Sequence, residues 1–327
     1  MTRALVLGAT GFIGGHIALA ALREGWQVRG LRRSIGSTGH VGAAPIQWFS
    51  GDLDRPDSLA AAFQGAEIVF HAAGYYPRSS RRIPDQVAHS VRQTRTVIEA
   101  CRRAGCKLIY TSSLTTIGQP QPPGSRLADE RDHYEPGSLS RSAYYECKYA
   151  MESEVLRAAG ALPVVVTNPT AVFGPGDRPG GIGAILAAVA RGWGIAWVEA
   201  DVNAVDVRDV AEAHVRAAVA ARSGERTILG GHNLTVHELI DLAARLAGVP
   251  PPRFRLPLAW IDLAVWLGDI FPPLDVAGNH LRAIREWQGY DCSKAARELA
   301  LQPRPLEVTI RDALAWIREP AAAVGAG

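Results

Sequence analysis

Three glycines spaced three residues apart, close to the start of the chain, constrain its fold more than any other feature. The apolar run Ala4 to Leu7 stops at Gly8, and an amphipathic run from Phe12 to Arg23 begins just after Gly11. This order predicts a buried strand, a tight turn and a helix that begins on the turn. Gly8 permits the turn, Gly11 lets a ligand approach the backbone, and Gly14 lets the helix pack on the strand. The free N–H groups at the helix N-terminus predict a pyrophosphate site.

The same glycine spacing also fits an ordinary strand–turn–helix, but the next strand favours a dinucleotide site. This strand, Gln27 to Leu31, is followed by Arg32 and Arg33, at the position where a dinucleotide-binding unit meets the adenosine ribose. An acidic residue there would bind the 2′-hydroxyl of NAD, whereas a guanidinium suits the 2′-phosphate of NADP. The two arginines therefore predict NADP(H) in preference to NAD(H). A solvated strand end is the alternative.

Strand and helix patterns alternate along most of the chain, which predicts an α/β protein with a doubly wound parallel sheet, the Rossmann fold. We assign residues 1–170 to the dinucleotide-binding domain, with 204–230 returning to it. Residues 171–203 and 231–327 are assigned to a smaller, mostly helical C-terminal substrate domain. Further strands are predicted at Ile46–Phe49, Ala66–Phe70, Lys107–Thr111, Leu162–Thr167 and Arg226–Leu229, and further helices at Gln86–Ala104, Tyr144–Ala159 and Asp206–Ala221.

Composition narrows the class of protein. The 327 residues are 47% hydrophobic and 20% charged, with a net charge of +3. The short, scattered basic clusters predict no nucleic-acid partner. The four cysteines lack metal-ligand spacing, so we predict no metal, and the absence of a signal peptide favours a cytoplasmic enzyme. The apolar stretch Leu256 to Phe271 is too short to span a bilayer, and we interpret it as a helix covering a pocket, with a membrane-surface role as the alternative.

Small and polar residues follow the third and fourth strands. Asp52 and Leu53 come after the third strand, where the Asp side chain could accept a hydrogen bond from an adenine amino group. Ala72 and Ala73 follow the fourth strand and are small enough to let a cofactor lie against the strand end. His71, just before them, is interpreted as a packed structural histidine.

Candidate catalytic residues follow the fifth strand and open the next long helix. Ser112 and Ser113 come directly after the strand, and Tyr144 and Lys148 lie four residues apart, on one helical face. At this spacing an ammonium can lower the pKa of a phenol. Tyr145 is three residues from Lys148 on a shifted face, so Tyr144 is the predicted proton donor.

With these residues in view, the chain resembles the extended short-chain dehydrogenase/reductase family over nearly its whole length. Within the family it is most similar to the dihydroflavonol reductase-like and hopanoid-associated epimerase-like branch. The resemblance implies that Ser113, not Ser112, is the catalytic serine, beside Tyr144 and Lys148. It also implies a two-fold homodimer in which the Gln86–Ala104 and Tyr144–Ala159 helices pair. The motifs behind it are the glycine turn, Asp52-Leu53, His71-Ala72-Ala73, Tyr110 to Ser113, Tyr144-x-x-x-Lys148, Asn168-Pro169 and Val205 to Val210.

The sequence thus predicts an NADP(H)-dependent oxidoreductase that reduces a carbonyl, or oxidises an alcohol, on a small hydrophobic substrate. A nucleotide-sugar epimerase or dehydratase and a non-catalytic NADP-binding sensor are the alternatives. Where relatives carry an Asn before the fifth strand this chain has Ser90, and where enzymes of nucleotide sugars place an Arg it has Val202. The substrate pocket is predicted from Tyr75, Tyr76, Phe173, Trp193, Trp197 and the Trp260 region, and the cofactor site from Gly8, Thr10, Gly11, Phe12, Ile13, Gly14, Arg32, Arg33, Asp52, Leu53, Ala72, Ala73, Lys148 and Pro169.

Overall fold

A computed structural model describes residues 1–77, 79–139, 141–177, 182–270 and 281–319, with Asp269 described by its backbone alone. Its centre is a seven-stranded sheet in the order β10-β6-β5-β4-β1-β2-β3, in which every neighbouring pair is parallel. The doubly wound parallel sheet predicted from the sequence is confirmed. Its strands are β1 (Arg3–Leu7), β2 (Gln27–Arg32), β3 (Gln47–Ser50), β4 (Ile68–His71), β5 (Lys107–Thr111), β6 (Val164–Pro169) and β10 (Arg226–Leu229).

Helices cover both faces of this sheet, which explains why its strands are nearly continuous apolar runs. One layer contains α1 (Phe12–Arg23) and α6 (Val207–Ala220), which pack on each other. The other contains α3 (Ile83–Ala104) and α4 (Ala143–Arg157), after the short helix α2 (Ala60–Phe63). Successive strand residues point to opposite layers. Val6 therefore packs in the core beneath α1 and α6, and Leu7 in the core beneath α3 and α4.

The rest of the chain forms a second core, with Phe173 and Leu239 fully buried in it. The sequence predicted this part to be mostly helical, but it also holds two small sheets. One has the order β11-β9-β7 and the other pairs β12 with β8. These strands are β7 (Ala171–Phe173), β8 (Ala196–Val198), β9 (Asp201–Asp206), β11 (His232–Thr235) and β12 (Phe254–Leu256), and the helices are α5 (Ala184–Ala190), α7 (Val236–Ala247), α8 (Leu258–Ile270), α9 (Ser293–Leu299) and α10 (Leu306–Arg318).

The chain returns to the large sheet through α6 and β10, whereas β9, which includes residues 204–206, pairs in the small sheet. The division into two domains stays a prediction, and the end of the predicted substrate domain, 320–327, lies outside the described residues, as does Phe271. No helix in the described part of the chain is both long and apolar enough to cross a bilayer.

Candidate active site

The predicted site residues meet at one edge of the large sheet because the carboxyl ends of parallel strands lie together there. The glycine turn follows β1, Ala72 follows β4, Ser113 follows β5, and Pro169 ends β6. The backbone N–H of Ala72 donates to the carbonyl of Leu7 (2.9 Å), which holds two of these strand ends side by side. The fold therefore brings the predicted cofactor turn and the predicted catalytic residues to a common edge.

The glycine turn has room for nothing larger than hydrogen at two positions. Gly8 has φ +90°, and a Cβ there would lie 2.9 Å from the carbonyl oxygen of Ala72. A Cβ on Gly14 would lie 2.2 Å from the carbonyl oxygen of Gly8, so only glycine lets α1 approach β1 this closely. Gly11, the N-cap of α1, is exposed, and among the described residues no side chain caps the helix. The turn thus presents backbone N–H groups to an anion.

Two positively charged residues, Arg32 and Arg33, lie at the end of β2, beside this turn. The Arg32 guanidinium lies 5.3 Å from the centre of the Trp48 ring, and its buried Nε has no hydrogen-bond partner within the described ranges. Arg33, the next residue, is exposed. Asp52 uses one carboxylate oxygen within its own turn, where Oδ1 accepts from the N–H of Asp54 (3.0 Å), and Leu53 is buried. The tight glycine turn fits the pyrophosphate of a dinucleotide, and Arg32 Nε is an N–H group that no described residue occupies.

Ser113, Tyr144 and Lys148 lie next to one another. The Tyr144 hydroxyl donates to Ser113 Oγ at 3.4 Å, and Lys148 Nζ donates to the backbone carbonyl of Ser112, also at 3.4 Å. Ser142 caps the start of α4 by accepting from the N–H of Tyr145, which fixes where the helix begins. The hydroxyl of Ser113, rather than that of Ser112, reaches Tyr144 because the Ser112 side chain turns to Glu152.

The environment shifts the pKa of both titratable members of this set. Burial raises the pKa of Tyr144 above its ordinary value, the neighbouring Tyr76 adds to the effect, and the hydrogen bond to Ser113 opposes it. Burial also lowers the pKa of Lys148 to about 8, and Glu152 partly offsets that effect. The sequence-based expectation that Lys148 gives Tyr144 a lowered pKa is therefore wrong for this arrangement, because burial raises that pKa and only the hydrogen bond to Ser113 lowers it.

Three neighbouring residues are also buried. Tyr145 is 3% exposed and packs its ring 5.3 Å from that of Tyr134. His71 is the buried last residue of β4, and burial and the charge of Lys148 lower its pKa to about 3, so it stays neutral. Ser90 donates to the backbone carbonyl of Val87 (2.8 Å) within its own helix.

The predicted aromatic pocket forms only in part. A groove of about 770 Å³ is lined by Tyr75 and Tyr76, and the Tyr76 ring lies 4.8 Å from that of Tyr144. Phe173 instead is fully buried in the second core, while Trp193 and Trp260 are more than half exposed. Aromatic residues at scattered sequence positions do not reveal which core they join, and the described groove does not include these three, so their part in a substrate pocket stays a prediction. Trp197 packs its ring 4.3 Å from that of His237.

The groove also carries polar and charged residues that the sequence did not single out: Ser79, Arg81, Arg82, Asp85, Gln86, His89 and Arg92.

Comparison with known proteins agrees with this fold. A provisionally named dihydroflavonol 4-reductase from Synechocystis sp. is 32% identical over 96% of this chain and 94% of its own length. The sterol demethylase protein B of Methylococcus capsulatus is 29% identical over 96% of this chain and 98% of its own length. The crystal structure of gox2253 is 32% identical, with a TM-score of 0.83 over 97% of this chain and 98% of that one.

The model of the NAD-dependent epimerase/dehydratase family matches residues 4–230, which include the glycine turn, Ser113, Tyr144 and Lys148. The match runs from β1 through β10, so it spans the whole seven-stranded sheet. Proteins of this family bind a nicotinamide dinucleotide and act on small molecules. This chain is an enzyme of the NAD-dependent epimerase/dehydratase family.

Proposed function

We propose that the protein is an NADP(H)-dependent oxidoreductase that interconverts a carbonyl and an alcohol on a small hydrophobic substrate. The observation that carries the proposal is the contact between the Tyr144 hydroxyl and Ser113 Oγ, with Lys148 one helical turn further along. Two hydroxyls at this separation can both reach one substrate oxygen. Because the pKa of Tyr144 is raised, its phenol is protonated at neutral pH and can donate a proton to a carbonyl.

Each side chain then has a distinct task. Tyr144 gives the proton to the substrate oxygen, and Ser113 donates a hydrogen bond that stabilises the charge developing there. Lys148 is held by the Ser112 carbonyl and would bind the nicotinamide ribose with its other N–H groups. When bound, NADPH supplies the hydride, so the protein contributes orientation and electrostatics. In the direction of alcohol oxidation Tyr144 accepts the proton instead.

The groove and the relatives support a substrate with a hydrophobic body. Tyr75 and Tyr76 line the groove, the Tyr76 ring lies beside Tyr144, and flat apolar groups pack well on such rings. The names of the two relatives refer to a dihydroflavonol and a sterol, both ring compounds with a carbonyl or hydroxyl group. We extend this substrate class to the present chain as part of the proposal.

Epimerisation or dehydration of a nucleotide sugar is the second candidate, because the same three residues can serve it. A buried diphosphate needs cationic partners. The groove contains Arg81 and Arg82, which favours this candidate, but Arg82 already pairs with Asp85 at 2.6 Å. Val202, where enzymes of nucleotide sugars commonly place Arg, is 4% exposed and offers no charge. We therefore rank the carbonyl reductase first.

The test is turnover of aromatic ketones and aldehydes, followed by the absorbance of NADPH. Tyr144→Phe keeps the ring and removes the proton donor, so turnover should fall by about 10²–10⁴-fold while NADPH binding persists. Tyr145→Phe is the matched control and should cost much less. Lys148→Met should both slow turnover and weaken cofactor binding, because Lys148 has two tasks.

Two results would overturn the proposal. If Tyr145→Phe abolishes turnover while Tyr144→Phe retains it, the active site is wrongly placed on α4. If no carbonyl compound is reduced but UDP- or dTDP-sugars are converted, as seen by product analysis, the second candidate is correct. Tight NADPH binding without turnover of either class would instead point to a sensor.

A further inference from the structure

A buried carboxylate, Glu152, lies directly behind the catalytic residues. It is 4% exposed and sits on α4, one helical turn after Lys148. One of its oxygens, Oε2, accepts hydrogen bonds from the hydroxyls of Ser112 and Thr116 (2.7 Å for Thr116) and from the Asn168 amide (2.8 Å). A single carboxylate oxygen thus joins α4 to the residues that follow β5 and to the end of β6.

The partners of Glu152 are the same groups that hold the backbone of Ser113. The carbonyl of Ser113 accepts from the Asn168 amide at 3.2 Å and lies 2.9 Å from the Thr116 hydroxyl, whose single proton it shares with Glu152. Glu152 orients both donors from the other side. The position of Ser113 therefore depends on a carboxylate that does not itself touch Ser113.

Arg226 of β10 balances the charge of Glu152. Its Nε lies 2.7 Å from Glu152 Oε1, an ion pair whose N–H is not aligned for a hydrogen bond. Nη2 of Arg226 donates to the carbonyl of Thr116 at 2.8 Å, so the arginine also stabilises the turn after β5. Both side chains of the pair are 6% exposed, which makes the loss of either one costly.

The groups that face Lys148 come from three elements. On its own helix they are Glu152, Cys147 and Tyr144, while β4 contributes His71 and β5 contributes Tyr110. His71 is neutral, and burial raises the pKa values of Cys147 and Tyr110, so both are uncharged near neutral pH. Glu152 is therefore the anion that opposes the effect of burial on the pKa of Lys148.

We propose that Glu152 is a positioning residue that fixes the turn carrying Ser113 and places a negative charge one helical turn from Lys148. Its meaning for catalysis rests on the function proposed above, but its effect on Lys148 can be measured without a substrate. The sign follows from the charges. Removing the carboxylate leaves burial unopposed, so Lys148 should lose its proton at a lower pH.

The chain contains only three lysines, Lys107, Lys148 and Lys294, which makes a direct titration feasible. Protein labelled with ¹³C at the lysine ε-carbon should give three NMR signals, and Lys148→Met identifies the signal of Lys148. In Glu152→Gln we expect the pKa of Lys148 to fall by about one pH unit from its value of about 8, with the other two signals unmoved. The matched control is Glu154→Gln, on the same helix, because Glu154 pairs with Arg95 and Arg157 instead.

A second variant covers the case in which Glu152→Gln does not fold. That variant leaves Arg226 buried without its partner, whereas Glu152→Gln combined with Arg226→Met removes both charges. We expect the double variant to melt at a higher temperature than the single one and still to show the lowered pKa of Lys148. If Lys148 titrates as in the wild type in either folded variant, the proposal is wrong.

Once a substrate is known, kcat/KM provides a second readout. If activity needs charged Lys148, kcat/KM falls as the pH rises through the pKa of Lys148. In Glu152→Gln this alkaline limb of the pH profile should therefore lie at lower pH. A purely structural role would lower activity at every pH without moving the limb. Failure to find any turnover would count against the proposed function and would leave the titration result standing.

Discussion

At the scale of single residues, we expect Arg32 and Arg33 to decide which dinucleotide the protein prefers. The Arg32 guanidinium lies over the Trp48 ring. Its Nε is buried and has no partner among the described residues, so this N–H can donate to an anion. A charge-assisted hydrogen bond to a 2′-phosphate contributes roughly 1.5–3 kcal/mol, so NADPH should bind more than about tenfold more tightly than NADH. Calorimetric titration with both nucleotides checks this.

Substitution of Arg32, with Arg23 as the control, tests the same preference for NADPH. Arg32→Ala should weaken NADPH binding by about tenfold or more and leave NADH binding nearly unchanged, because only NADPH carries the extra phosphate. Arg23→Ala removes an equal charge from the exposed end of α1 and should affect neither nucleotide. Equal affinity of the wild type for NADPH and NADH would contradict the prediction that Arg32 and Arg33 bind the 2′-phosphate.

Residue spacing predicted the shared face of Tyr144 and Lys148, and the structure places Tyr144 on Ser113 and Lys148 on the Ser112 carbonyl. The spacing did not predict the direction of the Tyr144 pKa shift. That direction depends on how deeply the hydroxyl is buried and on the neighbouring Tyr76, and both depend on residues distant in sequence. Glu152 was missed for the same reason, although its place four residues after Lys148 was a signal in the sequence.

At the scale of elements, the contact between α1 and β1 depends on Gly14. A methyl group there would collide with the backbone of Gly8, which cannot rotate away as a side chain could. Gly14→Ala should therefore destabilise the fold by about 1–3 kcal/mol and also weaken dinucleotide binding, since the turn must shift. Thermal unfolding and NADPH titration measure the two effects.

A glycine in open space provides the control for this element. Around Gly160, after α4, nothing described lies within 4 Å of the place a Cβ would occupy, and its φ is not left-handed. Gly160→Ala should leave both the melting temperature and NADPH binding close to the wild-type values. Unchanged stability and binding in Gly14→Ala would mean that α1 can move away from β1 at little cost, against the packing argument.

Elements with strong local signals were predicted well. The bounds of β5 and β10 coincide with those expected, and the capping box of Thr235 and Glu238 marks the start of α7. The strands of the small sheets were missed because they are short and their partners lie far away in sequence. For example, β11 alternates half-buried and exposed residues over only four positions and pairs with β9. Similarly, α8 was recognised as a helix, but its pattern could not show that Trp260 and Trp266 face outward.

At the scale of the whole molecule, α3 and α4 pack on each other and on the sheet. Thr94, Val97 and Cys101 of α3 and Met151 of α4 are fully or almost fully buried within the subunit. The resemblance implies that α3 and α4 pair across a dimer, whereas these buried faces belong to the core of one subunit. If α3 and α4 pair across a dimer, they use their outward sides, including the outward side of α4.

That outward side suits a second helix. Tyr149, Ala150 and Ser153 are only partly buried there, and two of them are small enough for close helix approach. We expect a two-fold homodimer, in which the same surface meets itself.

Ala150→Arg should place like charges opposite each other across the axis and give a monomer in sedimentation experiments. Val219→Arg, at a 74% exposed position on α6, makes the same kind of change elsewhere and should remain dimeric. A wild-type protein that sediments as a monomer at micromolar concentration would contradict the expectation, whereas a dimer that Ala150→Arg leaves intact would move the interface to another face.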